Sequence, residues 1–512
     1  MPTRTISNTG GNWNSTGTWV EGVVPTNLDD VVATATSGNL TVTATAAALS
    51  VNFTNYVGTF TVNSGITLTV GGAFTMVAGM TIGASSTGTL SFTATATLTS
   101  GGKVWPGNMT LTAGAARTFT LSGAWEVTGA FNITPAGASF VATLNSSSMT
   151  VRGNVTLGSN NAVGVGLGGT TNLILGTSTS QTLTTNQTGS GFVSVTLPVT
   201  VNATGTLTIS TPTAKLAFGT FTHTAGTVVT TGSTVRWSTS STISANGITW
   251  NAVEFGTTTV TITLSQNFNV SGTLSFANNV NFQGANTINF SGTSISQSGL
   301  TNDLLYASPV AGACTVSITE TCSISQGAQD FRLPITINAP GKTVTFSTSF
   351  RHNQGTFTLT SGSVSMSSAL TWTTATNATT YNFNAAGFVF PNYVSSVSTT
   401  FGGSEGCTFT TFTSTTAGIT YVFAINETYT VNSGITLTGT SASRISFVSS
   451  SANTKAIFTV LQGASMDVGY VNPTDIDSSL GQTVWSYRGT ITRCDNWQQL
   501  PVQPKTVAHF NV

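Results

Sequence analysis

The sequence predicts an all-β fold, an elongated parallel β-solenoid (β-helix) with irregular coil lengths and capped ends. Three observations lead there. The composition favours strands, apolar residues alternate with Thr and Ser along much of the chain, and short turn clusters separate these runs without a fixed period.

Composition comes first. Only 5% of the 512 residues are charged, whereas an ordinary soluble domain carries about a quarter. Disorder normally goes with low hydrophobicity and high net charge. Here mean hydropathy is +0.21 and formal net charge is zero, so the chain can bury a core. Thr, Val, Ile and Phe are strand formers, and the helix formers Glu, Lys, Gln and Arg are scarce. No amphipathic helical stretch stands out.

Alternation is the second signal. Phe92 to Thr99 (FTATATLT), Thr258 to Leu264 (TTVTITL) and Lys342 to Phe350 (KTVTFSTSF) each place Thr or Ser on one parity. Successive strand residues face opposite sides, so one face is hydroxylated and the other apolar.

The third signal is recurrence. An aromatic residue followed by Thr, with Gly five places after the aromatic, occurs at Phe60, Phe74, Phe221, Phe357 and Tyr429. Each reads as a strand, a turn and a second strand. A large apolar residue precedes Pro at Trp105-Pro106, Leu197-Pro198, Leu333-Pro334 and Phe390-Pro391. The spacing is irregular, unlike the steady count of leucine-rich, ankyrin or propeller arrays. Coils of roughly 20 to 25 residues imply about 20 coils and a rod on the order of 100 Å long.

Stacked strands expose backbone at each end, and the termini differ in composition in a way that suits closure. Residues 1–31 and 466–512 hold Trp13, Trp19, Trp485 and Trp497 together with 11 of the 28 charged residues. The expected organisation is an N-terminal cap or attachment segment over 1–32 and a solenoid body over 33–465. A final coil and C-terminal cap over 466–497 and an extended tail over 498–512 complete it.

Charge and hydropathy narrow the partners. Between Glu126 and Lys215 the only charged residue is Arg152. Phosphate neutralisation needs clustered Lys and Arg, so nucleic acid is not an expected partner. No run approaches the roughly 18 apolar residues of a membrane span, so membrane insertion is not expected. Residues 1–11 lack the apolar stretch of a secretory signal. Release by lysis after particle assembly is the simplest route outside a cell, and a processed precursor the competing one.

Candidate chemistry is sparse. Glycosidic cleavage uses two facing carboxylates. Asp475 and Asp477, two apart, are the best pair, although NPTDIDSS reads as a turn stabilised by Asx hydrogen bonds. Asp29 and Asp30 face opposite ways, and Glu126, Glu254, Glu405 and Glu427 are isolated. His223, His352 and His509 lack metal-ligand spacing. Cys314, Cys322, Cys407 and Cys494 fit no zinc or redox spacing; Cys314 and Cys322 could pair across a loop, the alternative being buried thiols. Trp125, Trp237, Trp250 and Trp372 could line a glycan groove. Thr runs along strands rather than recurring at one place per coil, which disfavours ice binding. We therefore expect no enzyme, with no catalytic, cofactor-binding or metal-binding residues and no cofactor.

Gly10 to Val32 contains NWNSTGTWVEGVVPTNLDDVV, which resembles the "W…W…G..P...D.V" opening of β-helical phage structural proteins and bacterial surface adhesins. Met466 to Trp497 (MDVGYVNPTDIDSSLGQTVWSYRGTITRCDNW) is similar to the closing coil of that group, which ends near an asparagine-tryptophan pair, here Asn496-Trp497. Ile248 to Phe255 (ITWNAVEF) matches the texture of its body. The resemblance implies a structural or adhesive protein of the virion surface, a phage tail fibre, head fibre or decoration rod engaged in host attachment. Its partners would be other virion proteins or its own copies through the terminal caps, as a homotrimer in many phage fibres, and cell-surface glycans. The alternatives are an extracellular bacterial adhesin or matrix filament subunit, and a β-helical polysaccharide depolymerase.

Overall fold

A computed structural model describes residues 1–113, 117–135, 140–158, 165–176, 179–185, 192–211, 215–256, 260–277, 280–297, 314–327, 330–353, 355–374 and 380–500. His509 and most of the expected tail lie outside the described residues. The chain is nearly all β, with parallel strands stacked into a β-solenoid of about 18 turns, close to the roughly 20 expected. Its only helix among the described residues is a three-residue 3-10 turn, Thr16–Thr18. Among the described residues no helix is long and apolar enough to cross a membrane. The chain divides into two compact units, residues 1–256 with 260–268, and residues 257–259 with 269–512.

In the first unit one inward column runs Ala46, Leu68, Leu90, Met109, Phe131, Val155, Leu183 and Ile209, each paired in register with the next. The step between neighbours shrinks to 19 residues from Leu90 to Met109 and grows to 28 from Val155 to Leu183. Strand register is therefore conserved while loop length varies, which is why the sequence shows recurrence without a period. Alternation accounts for the burial: Leu90 and Phe92 are fully buried while Thr89 and Ser91 between them are partly exposed.

In the second unit an inward column runs Ile288, Val316, Ile335, Phe357, Phe383, Phe401 and Phe423. Phe357 stacks on Phe383 at 4.9 Å between centroids and Phe401 on Phe423 at 5.3 Å, both nearly parallel. Phe has no polar handle, so it fills a closed interior without needing a hydrogen-bond partner, and each such pair adds about 1 kcal/mol beyond burial.

The aromatic–Thr recurrence takes two forms. At Phe60 the chain makes a strand, Thr59–Val62, a turn at Gly65 in the left-handed region (φ 75°), and a second strand, Thr67–Val70. At Phe221, Phe357 and Tyr429 it remains a single strand, Phe221–Val229, Thr356–Met366 and Thr428–Thr438. The expected turn is there a bulge: register shifts interrupt the pairing beside each of these strands. A bulge bends a strand without ending it.

Both ends of the expected organisation have distinct local structure. Thr3–Thr5 pairs with Asp30–Val32 on one side. Its other edge is covered by residues 18–21: Ser7 N–H donates to Thr18 O, Val20 N–H to Thr5 O, and Thr5 N–H to the Glu21 carboxylate. Trp13 and Trp19 are buried beneath, edge to face at 5.1 Å, with Trp19 Nε1 donating to Trp13 O. Asp29 is buried there against Arg4; hydrogen bonds from Thr26, helped by Arg4, hold its carboxyl below the usual range despite burial.

At the other end consecutive coils repeat every 18 residues, with bridges Gly469↔Tyr487, Thr474↔Thr492 and Asp477↔Asp495. The corners are left-handed residues stacked in pairs, Tyr470 over Arg488 and Asp475 over Arg493. Non-glycine residues rarely take this conformation. Here the paired side chains hold it: Arg488 donates to Tyr470 OH at 2.6 Å, and Arg493 makes a two-pronged ion pair with Asp475 at 2.7 Å per arm. Asn496, also left-handed, donates to Ser478 O and Gly481 O, while Trp497 Nε1 donates to Ser478 Oγ.

Candidate functional site

The carboxylates expected to matter are engaged in structure. Asp475 sits at a corner between the strands Val471–Thr474 and Ile476–Asp477, so it does not share a strand face with Asp477. It is buried, accepts the Asn453 N–H besides both Arg493 donors, and its carboxyl is held low chiefly by Arg493. Asp477 accepts the Ser479 N–H at 2.8 Å, the Asx geometry that the turn-like sequence suggests. Glu126 pairs with Arg152 from the neighbouring coil, and Glu320 with Lys342. Glu254 lies between Lys215 and Arg236. Among the described residues no group of three or more His, Cys, Asp or Glu could hold a metal.

The tryptophans do not form a groove. Trp125, Trp237, Trp250 and Trp372 are all within 1% of complete burial. Trp237 meets Trp250 edge to face at 5.3 Å, and Trp372 packs among Phe346, Phe350 and Phe357. Their parity within strands places them inward, which outweighs the affinity of indole for sugar faces. The cysteines are free thiols: Cys314, Cys322 and Cys407 are buried and Cys494 partly exposed. Burial pushes the Cys314 and Cys322 thiols up to about 12.

His223 is a partly exposed strand residue hydrogen-bonded to Asn246 O and Gly226 O. His352 is different. It is completely buried, with Nε2 at 2.8 Å from Leu333 O and Nδ1 against Tyr381 OH. Leu333 O can only accept, so Nε2 carries the proton and Tyr381 donates to Nδ1. Burial lowers its pKa to about 4. Beyond it runs an interior hydroxyl group: Thr374 Oγ1 lies 2.8 Å from Ser395 Oγ and 3.1 Å from Tyr393 OH, which reaches Thr399. All four are buried. The alternation Phe350, Arg351, His352 already placed the imidazole on the inward parity, a signal that spacing-based reading of histidines overlooks.

Among the described residues, a surface feature with room for a small ligand lies in the second unit. Thr356–Met366 pairs with Ile335–Phe346 as far as Phe346↔Met366. Toward the next coil, among the described residues, it pairs with Tyr381–Ser395 only over Thr356–Thr358 against Asn382–Asn384. The two coils rejoin at Trp372↔Tyr393. In the gap is a groove of about 280 Å³, with Val364, Met366, Val389 and Pro391 as apolar lining and Ser368 and Thr410 among its hydroxyls. Val389 is half exposed on the outward parity of a strand whose Phe388 and Phe390 point into the core. Asn392 Nδ2 closes one end by donating to Ser368 O (3.1 Å) and Leu370 O (2.9 Å).

The chain matches no family model, and neither the curated proteins nor the solved structures contain a significant match to it.

Proposed function

We propose that this protein is a structural and adhesive component of a virion surface, a phage fibre or decoration protein that contributes to host-surface or glycan attachment. The observation that carries this reading is how the solenoid uses its polar residues. Outward Thr, Ser and Asn side chains bond from coil to coil, as in Asn269–Asn289 (2.8 Å), Asn338–Ser361 (2.7 Å) and Asn392–Thr411 (2.9 Å). The scarce charges pair across neighbouring coils in the same way. Such a surface is neutral and hydrated, offers few Lys or Arg to trypsin-like proteases, and presents similar groups many times over. Multiple weak contacts from a repetitive surface gain by avidity rather than by any single tight site. The opening and closing segments that resemble β-helical virion proteins support the same assignment.

The test is location. Mass spectrometry of purified particles and immunogold imaging with antibody to this chain are expected to place it on the virion exterior. Recovery only from the envelope or matrix of uninfected cells would replace this reading with the adhesin or filament subunit. Release of reducing sugar ends from host polysaccharide, lost in Asp475→Asn or Asp477→Asn, would replace it with the depolymerase.

A further inference from the structure

We propose that the groove between Thr356–Met366 and Tyr381–Ser395 is a binding site for one neutral sugar residue of a surface glycan, which rests on the adhesive reading above and gives it a location. A pyranose ring has apolar C–H faces and a rim of hydroxyls. Val364, Met366, Val389 and Pro391 offer apolar groups on which one face can pack. Ser368 and Thr410 offer hydroxyls that both donate and accept. Between Leu359 and Met366 the strand has no ladder partner on its groove side among the described residues, so its backbone groups are further candidates for sugar hydroxyls. This mix of apolar wall and a few polar groups is what small-ligand sites present.

Charge selects among sugars. Among the described residues no Lys or Arg lines the groove. Glu405 lies against Gly387, two residues from Val389; a Cβ at Gly387 would stand 3.1 Å from its carboxylate. Among the described residues Glu405 makes no ion pair, and a carboxylate this near the groove opposes an acidic sugar. Shape selects against a peptide. An inserted strand needs about 4.8 Å on each side along its length. The coils instead rejoin at ladder pairing at both ends of the groove, at Thr358↔Asn384 and Trp372↔Tyr393.

The test uses the full chain and saturation-transfer NMR with the methyl glycosides of glucose, galactose, mannose and N-acetylglucosamine. The methyl glycoside of sialic acid and a neutral Thr/Val hexapeptide serve as comparisons. At least one neutral glycoside should receive saturation, and the sialoside and peptide should not. Val389→Arg, which fills the groove, should weaken binding by about tenfold or more. Ser368→Arg, an exposed rim substitution that leaves the core untouched, should do the same and covers the case in which Val389→Arg does not fold. No transfer from any neutral glycoside overturns the proposal, as does transfer that survives both substitutions or a peptide signal that both abolish. Surface location is measured separately: a glycan signal indifferent to both variants sinks this groove and leaves the adhesive reading standing, whereas absence from any surface sinks that reading.

Discussion

His352 should make the second unit acid-sensitive over a defined window. Buried and neutral, it binds a proton only near pH 4, against about 6.5 in an unfolded chain. The unfolded state therefore takes up the proton first, and stability falls as pH drops from about 6.5 to about 4. One pKa unit corresponds to about 1.4 kcal/mol, so the full loss is about 3 kcal/mol, complete near pH 4 and absent above pH 7. The physical cause is burial, which penalises the charged ring; protonation would also oblige the Tyr381 hydroxyl, which now donates to Nδ1, to turn and accept instead. The assay is denaturant unfolding at pH 7.5, 6.5, 5.5 and 4.5, followed by tryptophan fluorescence; Trp372 lies 6.3 Å from the imidazole. The comparison is His352→Phe with Tyr381→Phe, which removes the titrating ring and its donor together. Carboxylates titrate in both proteins, so the difference between them isolates the imidazole. The double variant, less stable at pH 7.5 through the orphaned Leu333 carbonyl, should close the gap by about 3 kcal/mol on acidification. A gap that stays constant with pH would refute the reasoning.

Three further outcomes follow from the packing. Phe383→Ala, which removes a fully buried ring from between Phe357 and Phe401, should cost about 3–5 kcal/mol by chemical denaturation, whereas Val389→Ala on the outer face of the same strand should cost well under 1. Glu254→Gln leaves the nearly buried Arg236 without its carboxylate and should destabilise the first unit by about 3 kcal/mol; Glu320→Gln, in an exposed pair, should be close to neutral. Alkylation of the native protein at pH 8 should label Cys494 alone, and all four thiols after denaturation without reductant; a pair that labels only after reduction would show a disulfide.

How much of this was readable beforehand depends on the distance over which each feature is encoded. Alternation in segments such as FTATATLT is local, so strands and their inward faces could be read directly. The Trp13–Trp19 seal and the Asn496-Trp497 closure were legible as compositional anomalies at the termini, though not as hydrogen bonds. The tryptophan groove failed because residue type was weighed above strand parity; Trp372 is as inward as Phe350, its partner in register. The groove that does exist depends on which coil abuts which, and two bulged strands must diverge between Thr358 and Trp372 to open it. No sequence run reports that divergence. Asp475 and Asp477 show the same limit: two residues apart suggests one face, but a left-handed corner at Asp475 turns them apart.

The sealed edge of Thr3–Thr5 bears on biogenesis. Everything that covers it, Thr18 to Glu21 and the two indoles beneath, is encoded within the first 22 residues. During synthesis the closing segment therefore leaves the ribosome before the strand Asp30–Val32 that lies on its far side. Each later coil can then be templated by the one before it, so this sheet grows from one edge instead of two. Covering that edge lowers the opportunity for neighbouring nascent chains on a polysome to pair through it, a hazard that parallel β-structure, slow to form, faces throughout translation.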